Sequence, residues 1–403
     1  WMDSAFEAEN EIKKDKEYVI AYNRKGNKDI APVDRRNTGE IELSTVYDEG
    51  LHQMLEIKER LRIREETVVH TFLSHITYFK NYYNENKEFF FFGLSGTLGK
   101  EETQNIYEKQ YKSNILFIPP YKKKRFVQLP PILCLKNEHF QKIYDDILFN
   151  FNKGRKILVI CDSIDEANQI KDCLLNPEKN KIKIKNNEID NYNYQNIESN
   201  IFLYTRSDEV REDLLDKNSD KKIFLSTNLG GRGTDLKTSP DEEAKGGLHV
   251  IITSMPKNYR VLKQAFGRTS REGKKGTGQL ILCNETFKSY EEIEEDTNKK
   301  EEERINFIQE ELKILLFKDD LFKKFIELLK QKKINTKEYM FDEIKYRWAN
   351  FLKKNVTSKK SEDLDEKEVE KEFEKFKGVI ETIINEKNID KKFENKFYQM
   401  EEG

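Results

Sequence analysis

Apolar positions along the chain change their period three times, and each change marks a different kind of element. At the start, Ala5, Phe6, Ala8 and Ile12 fall at helical spacing, and two strand-like runs follow at Tyr18–Tyr22 and 31–34. Leu51, Leu55 and Leu61, then Val69, Phe72, Ile76 and Phe79, predict two helices within 51–90, and four consecutive phenylalanines at 89–92 predict a buried strand. From about 106 to 290, strand-like and helix-like runs alternate: strands at 114–118, 126–135, 156–162, 201–206, 221–227, 248–254 and 278–283, and helices at 137–152, 164–175 and 259–267. Alternation of this kind predicts a parallel sheet with helices on both faces. The Asn- and Lys-rich stretch 180–200 reads as a surface loop interrupting it. Beyond 290 the pattern becomes that of long charged amphipathic helices, with Ile305, Ile308, Leu312 and Leu315, then Phe322, Phe325 and Leu329, then Phe373, Phe376, Ile380 and Ile383. Tyr346–Leu352 is a denser apolar patch, read as packing.

Composition adds limits. The 403 residues suit two or three domains, and 72 basic against 74 acidic residues leave no global field that would select nucleic acid or membrane. Cys134, Cys161, Cys173 and Cys283 form no C-x-x-C pair, so buried free thiols in a reducing, cytoplasmic setting are expected. No apolar run reaches the length of a spanning helix, and the start does not have the pattern of a signal peptide.

The chemistry concentrates in 226–273. A glycine-rich loop, Ser226-Thr-Asn-Leu-Gly-Gly-Arg-Gly-Thr-Asp235, leaves the end of a strand-like run, where ligands of open parallel sheets bind. Gly230, Gly231 and Gly233 let backbone approach a ligand, while Arg232 and Asp235 offer a fixed cation and a hydrogen-bond acceptor. Arg268 and Arg271, three apart on one side of an expected helix, suit a triphosphate because a guanidinium bonds phosphate oxygens in a fork. His249, in a strand-like run and without a second ligand at metal spacing, reads as a hydrogen-bonded core residue, and His52, at a helix start, as a tie between segments. Lys122–Arg125 reads as a solvated turn.

In their order, these motifs resemble those of the SecA preprotein translocase ATPases. Ser226–Asp235 is similar to that family's Thr-Asn-Met-Ala-Gly-Arg-Gly-Thr-Asp, Gly246-Gly-Leu-His-Val250 to its Gly-Gly-Leu-His-Val/Ile strand, and Gln264–Gly273 to its Gln-x-x-Gly-Arg-Ser-Gly-Arg-Gln-Gly. Upstream, Gly93-Leu-Ser-Gly-Thr97 resembles Gly-Met-Thr-Gly-Thr, and Asp48-Glu-Gly-Leu-His-Gln53 resembles Ser-Asp-Gly-Leu-His-Gln. Val33-Asp34 with Thr38-Gly39, and Trp1–Ala5, continue the series, so the resemblance covers roughly 1–290. The chain departs at Ser270, where the family has glycine, at Lys274-Lys275, at Glu40, and at Ser44–Tyr47, where the family has Arg-Arg-Trp.

The resemblance implies an α/β fold, a RecA-like parallel sheet with helices on both faces, followed by an all-α charged region. It divides the chain into 1–50, a remnant of the return from the preprotein cross-linking domain; 51–105, the end of the first nucleotide-binding domain; 106–290, the second nucleotide-binding domain; and 291–403, a helical C-terminal region. It implies ATP and Mg2+ as cofactors. Arg232, Arg268 and Arg271 would face the phosphates, Asp235, Gly231, Gly233, Thr234 and Gln264 would shape the nucleotide pocket, and Ser95, Gly96 and Thr97 would relay its state. The implied partners are an unfolded polypeptide, the upstream motor domain, and a membrane translocation channel, with nucleic acid disfavoured. No Gly-x-x-x-x-Gly-Lys-Ser/Thr loop occurs in the 403 residues: Gly93 to Gly99-Lys100 and Gly267 to Gly273-Lys274 each have five intervening residues and are followed by Glu101 and Lys275. Asp162, at the end of a strand-like run, is not expected to hold magnesium, because the resemblance makes that run the first strand of the second motor domain. The chain is therefore expected to be a piece of a longer protein that would not hydrolyse ATP alone. A superfamily 2 helicase half and a non-catalytic SecA-derived scaffold are the alternatives.

Overall fold

The computed structural model describes residues 1–23, 25–35, 38–65, 73–82, 92–183, 194–206, 220–231, 235–256, 259–286, 288–332, 339–357 and 364–401. Of the expected elements, the helix positions Val69 and Phe72, most of the strand at 89–92, and much of the 180–200 loop lie outside them. The chain forms two compact units. One comprises Trp1–Glu66, Ser95–Gln104 and Ile115–Glu302, the other Thr67–Leu94, Asn105–Asn114 and Glu303–Gly403.

The larger unit is built on a parallel sheet of β3 (Arg125–Gln128), β4 (Ile132–Cys134), β5 (Ile157–Ile160), β6 (Ile201–Tyr204), β7 (Ile223–Ser226), β8 (Leu248–Ile252) and β9 (Lys275–Cys283). The order is β3-β9-β8-β5-β7-β6, with β4 also paired to β9. Strands buried on both faces favour apolar residues at every position, which is why Ile157-Leu-Val-Ile160 reads as an unbroken run and Leu248–Ile252 is apolar except at His249, whose ring nitrogens are both hydrogen-bonded. Alternate side chains serve opposite layers: Ile157, Val159, Leu225 and Ile251 pack on α5 (Lys136–Asn152) and α6 (Ile164–Leu175), while Leu158, Ile160, Phe224 and Val250 pack on α9 (Tyr259–Phe266). The doubly covered parallel sheet read from the alternation is therefore present.

Two expected strands differ, the first for a local cause. The strand expected over 126–135 is two short strands, because Pro130 and Pro131 cannot donate to the ladder; β3 pairs with Lys275–Gly278 and β4 with Ile281–Cys283. Residues 114–118 form no strand, and Leu116, Phe117 and Ile118 are exposed. Cys134, Cys161 and Cys173 are buried free thiols as expected, but Cys283 is exposed at the end of β9.

An antiparallel pair, β1 (Tyr18–Tyr22) and β2 (Lys28–Pro32), packs with α1 (Met2–Asn10) and α2 (Leu51–Lys58) through Tyr18, Ile30, Leu51 and Leu55. Also present are α4 (Glu101–Tyr111), α7 (Tyr194–Asn200) and α8 (Pro240–Ala244), the last opened by a Ser239–Glu242 capping box.

The second unit is all-helical. Its α10 (Tyr290–Gln331), which begins in the first unit, α11 (Tyr339–Leu352) and α12 (Glu366–Glu401) close an aromatic core in which Trp348 stacks on Phe325 at 4.4 Å between ring centroids. The patch at 346–352 is thus packing: Trp348, Phe351 and Leu352 are buried in that core. α3 (His75–Tyr82) docks through Ser74 and Thr77, whose amide and hydroxyl donate to the Asp319 carboxylate at 3.0 and 2.6 Å. Among the described residues no helix is long and apolar enough to cross a membrane.

Candidate functional site

The glycine-rich loop begins as a 3-10 turn, Asn228–Gly231, just past the buried end of β7. A Cβ on Gly230 would come within 2.5 Å of the Ser226 hydroxyl, so that glycine is required by packing. Gly231 differs: a Cβ there would meet only ordinary contacts at 3.9 and 4.0 Å, so the fold does not demand a glycine. Arg232, Gly233 and Thr234 lie outside the described residues.

Arg268 and Arg271 were expected on one helical face, but α9 stops at Phe266. Gly267 closes its last turn, and Ser270 takes a left-handed conformation at φ 59. The two arginines sit instead on the turn that leaves the helix. The Arg268 Nε donates to the Gly231 carbonyl at 2.9 Å, and the Arg271 Nη1 donates to Asp235 Oδ1 at 2.7 Å. Gly231 and Asp235 are thereby both tied to the turn that follows α9. As a result Asp235, Arg268, Arg271, Lys237, Lys274 and Lys275 line one cavity of about 390 Å3, together with Leu248, the first residue of β8. Gly231 lies past the carboxyl end of β7, as the topology rule suggested, but the cavity is bordered by Leu248 and Lys275, the first residues of β8 and β9.

Gln264, on the last turn of α9, donates from Nε2 to the Thr97 hydroxyl at 3.0 Å. Ser95 and Thr97 form a local turn, in which the Thr97 amide donates to Ser95 Oγ at 3.2 Å and that hydroxyl donates to the Thr97 carbonyl at 2.9 Å. Gly96 is exposed, with open space around it. Two sequence motifs 167 residues apart are therefore in direct contact.

At Ser270 the resemblance calls for glycine, and the backbone explains why. Its φ of 59 is the left-handed region, and its buried hydroxyl has no hydrogen-bond partner. Ser270→Gly should raise stability by about 1 kcal/mol, measured as an upward shift of the denaturation midpoint at unchanged m-value.

Asp162 does not face the cavity residues but is held by Arg35. That guanidinium pairs with the Asp162 carboxylate, donates from Nε to the Asp162 carbonyl at 3.1 Å, and reaches Glu17 at 3.0 Å. The Arg35 carbonyl in turn accepts from the Asn228 side chain at 2.7 Å, and a Cβ on Gly39 would lie 2.5 Å from the Leu229 amide. The 33–39 segment is thus packed on the root of the glycine-rich loop. Arg35 was not singled out in the sequence; its place inside the matched Val33–Gly39 segment was the available signal.

Beside Asp162, Glu166 accepts from the Asp162 amide at 2.6 Å and the Thr253 hydroxyl at 2.8 Å. Burial pushes its carboxyl above the ordinary 4.5 despite those bonds. The native state therefore holds a proton that the unfolded chain has released. The stabilisation is complete below pH 4.5 and is lost as pH rises through the folded-state value. Glu166→Gln should flatten that decline in melts recorded from acid to neutral pH.

His249 is the core residue expected. Its ring is fully buried, with Nδ1 2.7 Å from the Thr277 hydroxyl and Nε2 2.9 Å from Asp146. The Lys122–Arg125 run is exposed, with Arg125 near Glu243 at 3.8 Å.

Residues 136–273, which carry β5–β8 and the arginine-bearing turn, match the helicase conserved C-terminal domain, which supports a helicase-like motor domain. The chain is similar to the protein translocase subunit SecA of Campylobacter curvus (strain 525.92), 28% identical over 289 residues, 70% of this chain and 29% of that protein. It is similar also to SecA of Campylobacter jejuni subsp. doylei, 29% identical over 286 residues with the same coverage of each chain. These similarities agree with the ordered motifs and support a SecA-like C-terminal motor half. The chain spans about 29% of the length of those relatives. A solved structure, DEAD-box helicase Mss116 bound to ssRNA and UDP-BeF, overlaps 57% of this chain and 45% of that one at 15% identity with a TM-score of 0.30, too slight to bear on function.

Proposed function

We propose that the larger unit is the second motor domain of a SecA-like translocase, completing an ATP site whose phosphate loop belongs to another domain and coupling hydrolysis to movement of an extended polypeptide. The observation that carries this is the convergence of Arg268, Arg271 and Asp235 on one cavity, with Gln264 of the same turn-bearing helix bonded to Thr97. The residues fit a nucleotide polyphosphate. Two guanidiniums and three lysines, Lys237, Lys274 and Lys275, line the cavity, and Gly231 leaves backbone open where the packing does not require it.

In this reading Arg271 exchanges Asp235 for phosphate oxygens, Arg268 keeps the loop in place through Gly231, and Arg232, Gly233 and Thr234 complete the wall. Bound ATP supplies the phosphoryl group and Mg2+ its charge neutralisation. Two acids line the cavity, Asp235, paired with Arg271, and Glu272; the ion is assigned mainly to the partner domain because the SecA resemblance places its binding motifs there. Gln264 and Thr97 connect the arginine turn to the Ser95–Thr97 segment, the route by which site occupancy would be relayed. The polypeptide substrate, the membrane channel and the cytoplasmic location are carried only by the resemblance of the motifs to SecA.

The test is ATP turnover by a protein containing both halves of the site, with and without an unfolded polypeptide, beside the 403-residue chain. Turnover stimulated by polypeptide in the former and absent in the latter supports the reading, and stimulation by RNA instead would move it to a helicase. Gly231→Ala sharpens the test. It should leave stability within about 0.5 kcal/mol yet weaken nucleotide binding, and unimpaired binding would show that no ligand approaches that backbone.

A further inference from the structure

Away from the arginine cavity, the Asp48–Gln53 segment carries His52 into a cluster that the motor chemistry does not use. Asp29 lies on β2, and His52 and Glu56 are one turn apart on α2. The His52 Nε2 is 3.8 Å from Asp29 Oδ1 and 3.7 Å from Glu56 Oε1. His52 and Glu56 are 0% and 1% exposed, and the buried Nε2 has no hydrogen-bond partner. Among the described residues no other set of three potential metal-binding side chains comes this close together.

Arg64 accounts for the carboxylates but not for the imidazole. Its Nη2 pairs with Asp29 Oδ1, its Nε donates to Glu56 Oε1 at 2.7 Å, and its amide donates to Glu56 Oε2 at 2.9 Å. One guanidinium against two carboxylates leaves a net negative charge. It has no acceptor, and nothing else bonds the His52 Nε2. A single group that accepts electron pairs from all three side chains would satisfy the imidazole as well as both acids.

We propose that Asp29, His52 and Glu56 form a binding site for one divalent transition-metal ion, with Arg64 as its resident competitor. Metal–ligand bonds of about 2.0–2.2 Å separate ligand atoms by roughly 3.0–3.4 Å, so the 3.7 and 3.8 Å to His52 require contraction of about half an ångström, and the two carboxylate oxygens, which lie within 4.8 Å of one another, must close to the same separation. One imidazole with two carboxylates selects Zn2+, Co2+ or Mn2+ over Mg2+ and Ca2+, which prefer all-oxygen shells. Ligation through Nε2 places the ring proton on Nδ1, which now accepts from the Tyr47 amide; at 3.3 Å that contact is long, and it is the one given up. Asp29, Glu56 and Arg64 border an open cavity of about 1260 Å3, which gives the ion a way in and the displaced Arg64 side chain a way out. The bound ion would fasten β2 to α2 and so fix the antiparallel pair on the Asp48–Gln53 segment. None of this depends on the nucleotide reading.

Co2+ is the probe, because its visible spectrum reports coordination geometry and its binding can be competed with Zn2+. The 403-residue protein should take up one Co2+ saturably, lose it to Zn2+ but not to an equal concentration of Mg2+, and melt at a higher temperature when loaded. Asp29→Asn and His52→Gln should each weaken binding at least tenfold, and Arg64→Met should tighten it by a similar factor. Should His52→Gln not fold, Asp29→Asn carries the test, since Asp29 is half-buried on a two-stranded pair. Saturable binding by Arg64→Met alone also supports the site, with Arg64 as an effective competitor. No saturable binding by the wild type or by Arg64→Met, or equal binding by Asp29→Asn, overturns it, the latter assigning the ion elsewhere, for example to the exposed Cys283 thiol.

Discussion

Arg271→Ala, in a protein that carries both halves of the nucleotide site, should lower ATP turnover by about three orders of magnitude while changing nucleotide affinity far less, as expected for a guanidinium that stabilises charge developing on the transferring phosphoryl group. Arg271 is favoured over Arg268 for this role on geometry. The Nε of Arg268 is bonded to the Gly231 carbonyl, so its removal releases the loop as well as a charge. Arg271 has its Nε on the Gly267 carbonyl at 3.3 Å and its Nη1 on Asp235, and the side chain is 37% exposed, so the tip can change partners without rearranging the fold. Its present partner is also exposed, and such a pair contributes at most about 1 kcal/mol, little resistance to exchange for phosphate.

The pair of arginines therefore divides into a loop holder and a mobile charge, and kinetics can tell them apart. Arg268→Ala should raise KM and lower kcat together, whereas Arg271→Ala should act on kcat. Arg271→Lys should recover little, because an ammonium keeps the charge but not the fork. Turnover unchanged in Arg271→Ala would remove the finger assignment, and a loss carried wholly by KM would make Arg271 a ground-state phosphate binder instead.

The sheet was readable because burial on both faces leaves continuous apolar runs, and helices were readable where one face is buried, as in α5 and α6. The turn after α9 was not. Helical spacing placed Arg268 and Arg271 on one face, but a glycine at 267 and a left-handed Ser270 end the helix first, and nothing in a period of 3.6 announces a positive φ at serine. Nor could the pattern show that Gly231 and Asp235 meet the turn after α9, because each contact is a single long-range bond, Arg268 to Gly231 and Arg271 to Asp235. Arg35 escaped for the same reason. Its partner Asp162 lies 127 residues away, a separation that no local periodicity encodes.

The glycines and the histidine of the Gly246–Val250 motif serve the sheet, and a large stability loss is expected from substitution there. Gly247→Ala should destabilise the larger unit by more than about 3 kcal/mol. Gly247 has φ 73, where an alanine costs about 1–2 kcal/mol, and a Cβ there would stand 2.0 Å from the Lys275 carbonyl oxygen, an atom of the β9 backbone that cannot turn aside. The β9 strand cannot retreat cheaply either. Arg155 bonds the Gly246 and Gly247 carbonyls at 3.0 and 3.1 Å and the Thr277 hydroxyl at 2.7 Å, so the turn and the strand are clamped to one buried guanidinium. Gly26→Ala is the internal control, because that glycine has φ 77 but open space around it, and it should cost only the backbone preference. The thermal midpoint of Gly247→Ala should fall by roughly 6–12 °C, well beyond that of Gly26→Ala. Equal shifts for the two would mean that β9 yields at Lys275, and the clamp through Arg155 would then not be what holds that end of the sheet.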